Sequence, residues 1–291
     1  MPATASPRQR NLAVLFALGS MSSIQLGAAL SQPLFHRLGP AGVVTLRLVF
    51  AAVVLGALVR PALAGRGPRE LAVPVALGVT SGLLTLAFYE AIDRIPLGIA
   101  VAIEFTGPLG VALVGSRRWA DGIWVALAAG GIGLLTLGHP VHGALDLTGV
   151  LLAFAAAGGW AAYILLTKRV GQSWPGLGGL AVSLAVGAVV TLPFGLTDFA
   201  HRYGDAEKDL AGLALGVLVP LLPYVLELAA LRRLPTRVFG VLMSLEPGIG
   251  GLLGLVILGQ SLALVGVVAI VLIVGASLGV TLTGEPFPAN P

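Results

Sequence analysis

SLALVGVVAIVLIVGASLGVTLT, Ser261–Thr283, carries no charged side chain over 23 residues. At ~1.5 Å of rise per residue a helix of that length reaches past the ~30 Å of bilayer hydrocarbon. Leu12–Leu30 and Gly149–Leu166 read the same way. The rest of the chain follows the pattern, with 57% hydrophobic and 10% charged residues, against about 25% charged in a soluble domain. The solvent these segments are built for is lipid.

At about 20 residues per crossing, 291 residues hold ten helices joined by short loops, with nothing left for a soluble domain. The apolar runs predict them at 12–30, 41–60, 71–91, 97–115, 121–137, 146–167, 176–196, 210–231, 236–257 and 262–283. The tails 1–11 and 284–291 lie outside them. The first segment follows Arg8 and Arg10 and has signal-peptide features, but the many apolar runs after it favour an uncleaved first helix.

The net charge of +4 comes from loop arginines and does not indicate nucleic-acid binding. Counted alternately from the N-terminus, one side collects Arg8, Arg10, Arg60, Arg66, Arg69, Arg117, Arg118, Lys168, Arg169, Arg232, Arg233 and Arg237. The other side has Arg37, Arg94, Arg202 and Lys208. The basic side faces the cytoplasm by the positive-inside rule, which places both termini there. There is no cysteine, so disulfides and thiolate metal sites are excluded. His36, His139, His142 and His201 fall in expected outer loops without ligand spacing, and no metal site or cofactor is expected. Trp119 and Trp174 adjoin basic residues and read as interfacial anchors.

The halves repeat. Arg94, Pro96, Pro108 and Gly115 align with Arg233, Pro235, Pro247 and Gly254 at one constant offset, and Gln25 precedes Pro40 by the interval at which Trp160 precedes Pro175. Each half, 12–137 and 146–283, holds five helices, an odd number, so the second enters the membrane from the opposite side. The expected fold is an all-α polytopic membrane protein of ten transmembrane helices in two inverted five-helix repeats, with the site where the repeats meet.

Polar residues inside the apolar runs mark that site, because a charge at mid-bilayer costs roughly 2.5–3.5 kcal/mol on insertion scales. Glu104, about 10 Å along its helix from the outer end, is followed by Thr106 and Pro108, and a proline has no N–H for the carbonyl four residues back. That turn suits an ammonium group or a proton. Glu246 precedes Pro247 in the related segment, and the two prolines are candidate hinges. Arg47 lies at the depth of Glu104 and either neutralises a buried glutamate or receives a carboxylate. Gln25 on the first helix is a further solute contact or a helix–helix hydrogen bond. Trp160 and Tyr163 either wall a cavity or pack in the core. Glu90 and Glu227 are near helix ends. No Gly-x-x-x-x-Gly-Lys loop is present, so an ion gradient is the expected energy source.

Several of these segments resemble a known family. Gln25-Leu26-Gly27-Ala28, Thr45-Leu46-Arg47-Leu48, Pro96–Ala102 with Glu104-Phe105-Thr106-Gly107-Pro108, Leu234-Pro235-Thr236-Arg237 and Leu242–Pro247 are similar to the EamA-type drug/metabolite transporters, and within them to the threonine/homoserine exporter branch. Two departures stand out: Leu258-Gly259-Gln260, where the family often has Leu-Gly-Glu, and Glu90, where an apolar residue is expected. The resemblance implies a ten-helix inner-membrane carrier that exports small amino acids or related metabolites against protons. Its partners would be the solute, protons and the bilayer, with a homodimer left open. Efflux of drugs or nucleosides is the alternative within the superfamily. An intramembrane enzyme is the alternative outside it, although no catalytic set of paired aspartates or Ser/His is present.

Overall fold

The computed structural model describes residues 7–61, 63, 65–114, 122–137, 146–174, 176–202, 223, 226, 242–243, 245–260 and 263–283. Ten helices are described in full: α1 (Pro7–Ser31), α2 (Phe35–Val59), α3 (Pro68–Arg94), α4 (Leu97–Glu104), α5 (Thr106–Val114), α6 (Gly122–Leu137), α7 (Leu147–Ser173), α8 (Gly178–Arg202), α9 (Glu246–Leu258) and α10 (Leu264–Thr283). Among the described residues there is no strand. Four stretches there, Val14–Val59, Pro68–Arg94, Leu147–Ser173 and Gly178–Asp198, are long and apolar enough to cross a bilayer. Outward-facing side chains are apolar too: Leu58, Val189, Val256 and Leu264 are 69–78% exposed. A helical backbone satisfies its own polar groups, which is what lipid demands.

The helices differ from the sequence expectations in defined places. The fourth segment is two helices rather than one, broken at Phe105. The proline-bearing turn Thr106-Gly107-Pro108 lacks one backbone donor, and the Thr106 hydroxyl donates instead to the Ile103 carbonyl at 2.6 Å. Helix α2 begins earlier than expected, at Phe35, but is itself interrupted at Gly39, whose φ of 70° lies in the left-handed region. The straight part starts at Pro40, as the sequence pattern indicates. Its buried first turn is capped from another helix: the Ala41 and Gly42 N–H groups donate to Asp198 Oδ2 at 3.1 and 3.4 Å. A side chain at Gly39 would collide with that same carboxylate. His36 and His201 are in α2 and α8, not in loops. Apart from Pro223 and Leu226, the expected helix at 210–231 lies outside the described residues, as do 232–241 with the start of the ninth segment, Trp119, His139, His142 and Glu227.

The chain divides into two compact units, each drawing helices from both sequence halves. The first contains α1 up to Ala29 with α4, α5, α6, α9 and α10. Within it α4 packs on α9, and α6 on α10. Glycines allow the first of these contacts: a Cβ on Gly98 would lie 2.6 Å from the Gly251 Cα. The second unit contains α2, α3, α7 and α8, with α2 on α8 and α3 on both α7 and α8. At one end of it Trp174 is buried, not an interfacial anchor. Its indole N–H donates to the Glu70 carbonyl at 3.1 Å, Arg66 lies 3.9 Å from the ring centre, and Leu77 and Val170 pack beside it. The polar end of an indole can be satisfied inside a protein as well as at a lipid headgroup.

At the start of α7, Asp146 accepts from the Thr148 and Gly149 N–H groups at 2.7 and 3.3 Å and pairs with Arg94 at 3.7 Å. The Thr148 backbone N–H is the main cause, with Gly149 and Arg94 adding to it, that holds this carboxyl below the usual aspartate range. A depressed folded-state pKa contributes stability that is present above the unfolded value near 3.9 and lost as pH falls through the folded one. The melting-temperature difference between wild type and Asp146→Asn is therefore expected to be constant at neutral pH and to close on acidification below about pH 4; a thermal-unfolding series across pH checks it.

Candidate functional site

In the first unit three buried acceptor groups come together. Glu104 is the last residue of α4 and Glu246 the first of α9. Their carboxylates are within electrostatic reach of each other. Glu104 is 7% exposed and Glu246 2%. Gln25, fully buried on α1, donates from Nε2 to Glu246 Oε1 at 3.1 Å, while its own Oε1 has no hydrogen-bond partner among the described residues. A buried carbonyl left without a donor costs about 1–3 kcal/mol. Among the described residues the Gln25 carbonyl is thus left without a donor, and a cationic donor placed in the cluster would satisfy it and offset the repulsion between the carboxylates.

The local sequence explains why the carboxylates sit where they do. Pro247 occupies the first turn of α9, where its missing N–H costs nothing. Leu245 remains in the right-handed region, so the interruption is mild. Pro108 is the third residue of α5, just beyond the break at Phe105. Both interruptions fall within one residue of each other in the repeat alignment, and each places a glutamate at a helix end. Thr106 is half-buried, with its hydroxyl proton committed to Ile103. Gln260, which replaces the family glutamate, accepts from the Leu97 N–H at 3.0 Å and so caps the start of α4.

The remaining sequence candidates are in the second unit. Arg47 on α2 is half-buried, with its guanidinium 5.1 Å from the centre of the Tyr89 ring. Tyr163 is partly buried and packs against the cluster of Leu77, Val170 and Trp174, and Trp160 is half-buried one turn earlier. Glu90 pairs with Arg94 at 3.7 Å. Tyr89 itself gives no signal in the sequence: it sits in a long apolar run, and its proximity to Arg47 depends on how α2 and α3 pack.

The profile of the EamA-like transporter family matches residues 147–282. Over 278 residues, 94% of this chain and 92% of the relative, the sequence is 43% identical to the threonine/homoserine exporter RhtA of Salmonella typhimurium strain LT2. It is 41% identical over 274 residues, again 94% and 92%, to RhtA of Escherichia coli strain K12. A solved crystal structure shares the fold at a TM-score of 0.56 and 19% identity, over 93% of this chain and 98% of the other. At this identity, over nearly the whole length of both proteins, the chain belongs to the EamA-like transporter family.

Proposed function

We propose that the protein is a secondary active exporter of small amino acids of the threonine and homoserine kind, working against protons by alternating access in the inner membrane. The observation that carries this reading is the acceptor cluster of Glu104, Glu246 and Gln25 at two helix interruptions. An amino acid enters from the cytoplasm with its ammonium group directed to Glu104 and Glu246 of the first unit. A proton from outside replaces the ammonium and resets the carrier. The interruptions at Phe105 and Leu245, with Pro108 and Pro247 beside them, act as hinges. The names of the related exporters support the solute class. Membership in a transporter family removes the intramembrane enzyme from consideration.

The ten-helix inverted repeat of 12–137 and 146–283 is part of the same proposal. Its support is that α4 packs on α9, α6 on α10 and α2 on α8. In a duplicated five-helix unit each of these is a helix against its own counterpart, as a two-fold axis would produce. Both termini are cytoplasmic by the loop arginines. One chain holds every group the scheme uses, so a homodimer is compatible with it but not required.

Counterflow of labelled threonine and homoserine into proteoliposomes tests the proposal. Preloaded unlabelled solute is expected to accelerate uptake, and a pH gradient is expected to shift its steady state. Absence of flux for both solutes under either condition removes the exporter reading, and flux indifferent to the gradient removes the proton.

A further inference from the structure

Gln25 has two polar ends, and the fold accounts for one of them. The residue is buried on α1, one helical turn after Met21, which with Ala17 forms a cluster packed against Met243 and Ile249. An apolar side chain would suit such surroundings. Nε2 donates to Glu246 Oε1 at 3.1 Å, and Oε1 has no hydrogen-bond partner among the described residues. The bond to Glu246 fixes which end is which, because turning the amide over would set two acceptors against each other. On the α9 side Gly250 brings no side chain over the carbonyl; a Cβ there would stand 3.5 Å from Oε1.

A buried carbonyl calls for a donor, and a hydroxylated amino acid offers two kinds. Its ammonium group is cationic, and hydrogen bonds from a cation to a carboxylate are roughly twice as strong as neutral ones. Glu104 and Glu246 stand in the same cluster and outcompete an amide oxygen for it. A neutral acceptor is matched instead to a neutral donor. The two solutes of the proposed function share one, the side-chain hydroxyl. In threonine that hydroxyl is on the carbon next to the one bearing the ammonium, which suits an acceptor whose own amide is bonded to Glu246. Homoserine reaches the same acceptor through one more rotatable methylene.

We propose that Gln25 reads the side-chain hydroxyl of the transported amino acid, an inference that rests on the exporter reading. The hydroxyl donates to Oε1, while Nε2 stays on Glu246 and holds the amide in place. The carrier thereby selects hydroxy amino acids over apolar ones of the same shape. A methyl group in the hydroxyl's position would leave the buried carbonyl unpaired, and sites built around a substrate hydroxyl reject analogues that lack it for that reason.

Thermal unfolding of the purified full-length protein, titrated with two matched pairs of solutes, tests this. Valine replaces the hydroxyl of threonine by a methyl group, and norvaline does the same for homoserine. Wild type is expected to need about tenfold more valine than threonine, and about tenfold more norvaline than homoserine, for equal stabilisation. Gln25→Met removes both amide ends. Losing the bond to Glu246 weakens both members of a pair alike, so it cancels in their ratio; losing the acceptor is expected to bring that ratio to about one. Gln25→Glu keeps a side-chain acceptor and is expected to keep the preference for the hydroxylated member. Equal titrations of threonine and valine by wild type would overturn the proposal and leave the exporter reading standing. So would a Gln25→Met protein that binds all four solutes more weakly with an undiminished ratio, the mark of a carbonyl that serves the ammonium group or the fold, or a Gln25→Glu protein that has lost the preference. Stabilisation by none of the four solutes would overturn it together with the exporter reading.

Discussion

Glu104→Gln is expected to lower threonine counterflow by roughly 30-fold to more than a thousandfold, with an unchanged amount of protein in the membrane. The substitution preserves shape and hydrogen-bonding reach while removing the negative charge. Truncating one partner of a buried charge pair costs about 2–5 kcal/mol, and each 1.4 kcal/mol is tenfold in an equilibrium constant, which sets that range. Folding is expected to survive, because an amide beside Glu246 replaces like-charge repulsion with a donor. The variant also lacks a group that can exchange a proton for an ammonium, so raising solute concentration should not rescue the rate. Membrane-protein quantification alongside proteoliposome counterflow gives the answer. Wild-type counterflow in this variant would remove Glu104 from the mechanism.

The two glutamates are legible in the sequence because lipid makes each buried charge conspicuous, and both belong to proline-bearing segments that repeat at one offset. Most helix positions are legible for the same reason: an apolar run in a polytopic chain is close to a measurement of length. The resemblance to the amino-acid exporters rested on these same segments and agrees with the relatives found. What is not legible is anything that depends on helices distant in sequence. Asp198 reads as an ordinary residue near a helix end, yet it caps the straight part of α2 more than 150 residues earlier. Trp174 beside basic residues reads as a lipid anchor, but the Arg66 guanidinium and the Glu70 carbonyl satisfy it inside the protein. The break at Phe105 is hidden because Pro108, which signals it, stands three residues beyond it. Arg47 and Glu104 match in depth along their helices, and depth alone does not say which neighbours each meets. Arg47 stands over Tyr89 in one compact unit, and Glu104 lies within reach of Glu246 in the other.

Gly98→Leu is expected to produce the largest loss of stability. Gly98 is fully enclosed where α4 crosses α9, and a Cβ there would stand 2.6 Å from the Gly251 Cα and 3.0 Å from the Gly251 nitrogen. Both obstacles are backbone, so no rotamer change makes room; the helices must separate by an ångström or more. Overpacking in a tight core costs typically 1–3 kcal/mol when side chains alone must adjust, and a forced backbone shift puts this site at about the upper end of that range or beyond. Gly98→Ala should lie between leucine and wild type. Gly110 of α5 is the control, since a Cβ there meets nothing within 4 Å. Gly110→Ala is expected to be neutral or to raise the melting temperature, by up to about 1 kcal/mol of helix propensity. The crossing that Gly98 permits also positions the carboxylates: Glu104 ends the helix that carries Gly98, and Glu246 begins the helix that carries Gly251. Spreading α4 from α9 should therefore weaken threonine binding even in the fraction of Gly98→Ala that remains folded, whereas Gly110→Ala should bind as wild type does. Thermal unfolding and solute titration on the same three variants separate the two effects. Equal melting temperatures for Gly98→Leu and wild type would show that the α4–α9 contact does not hold the unit together.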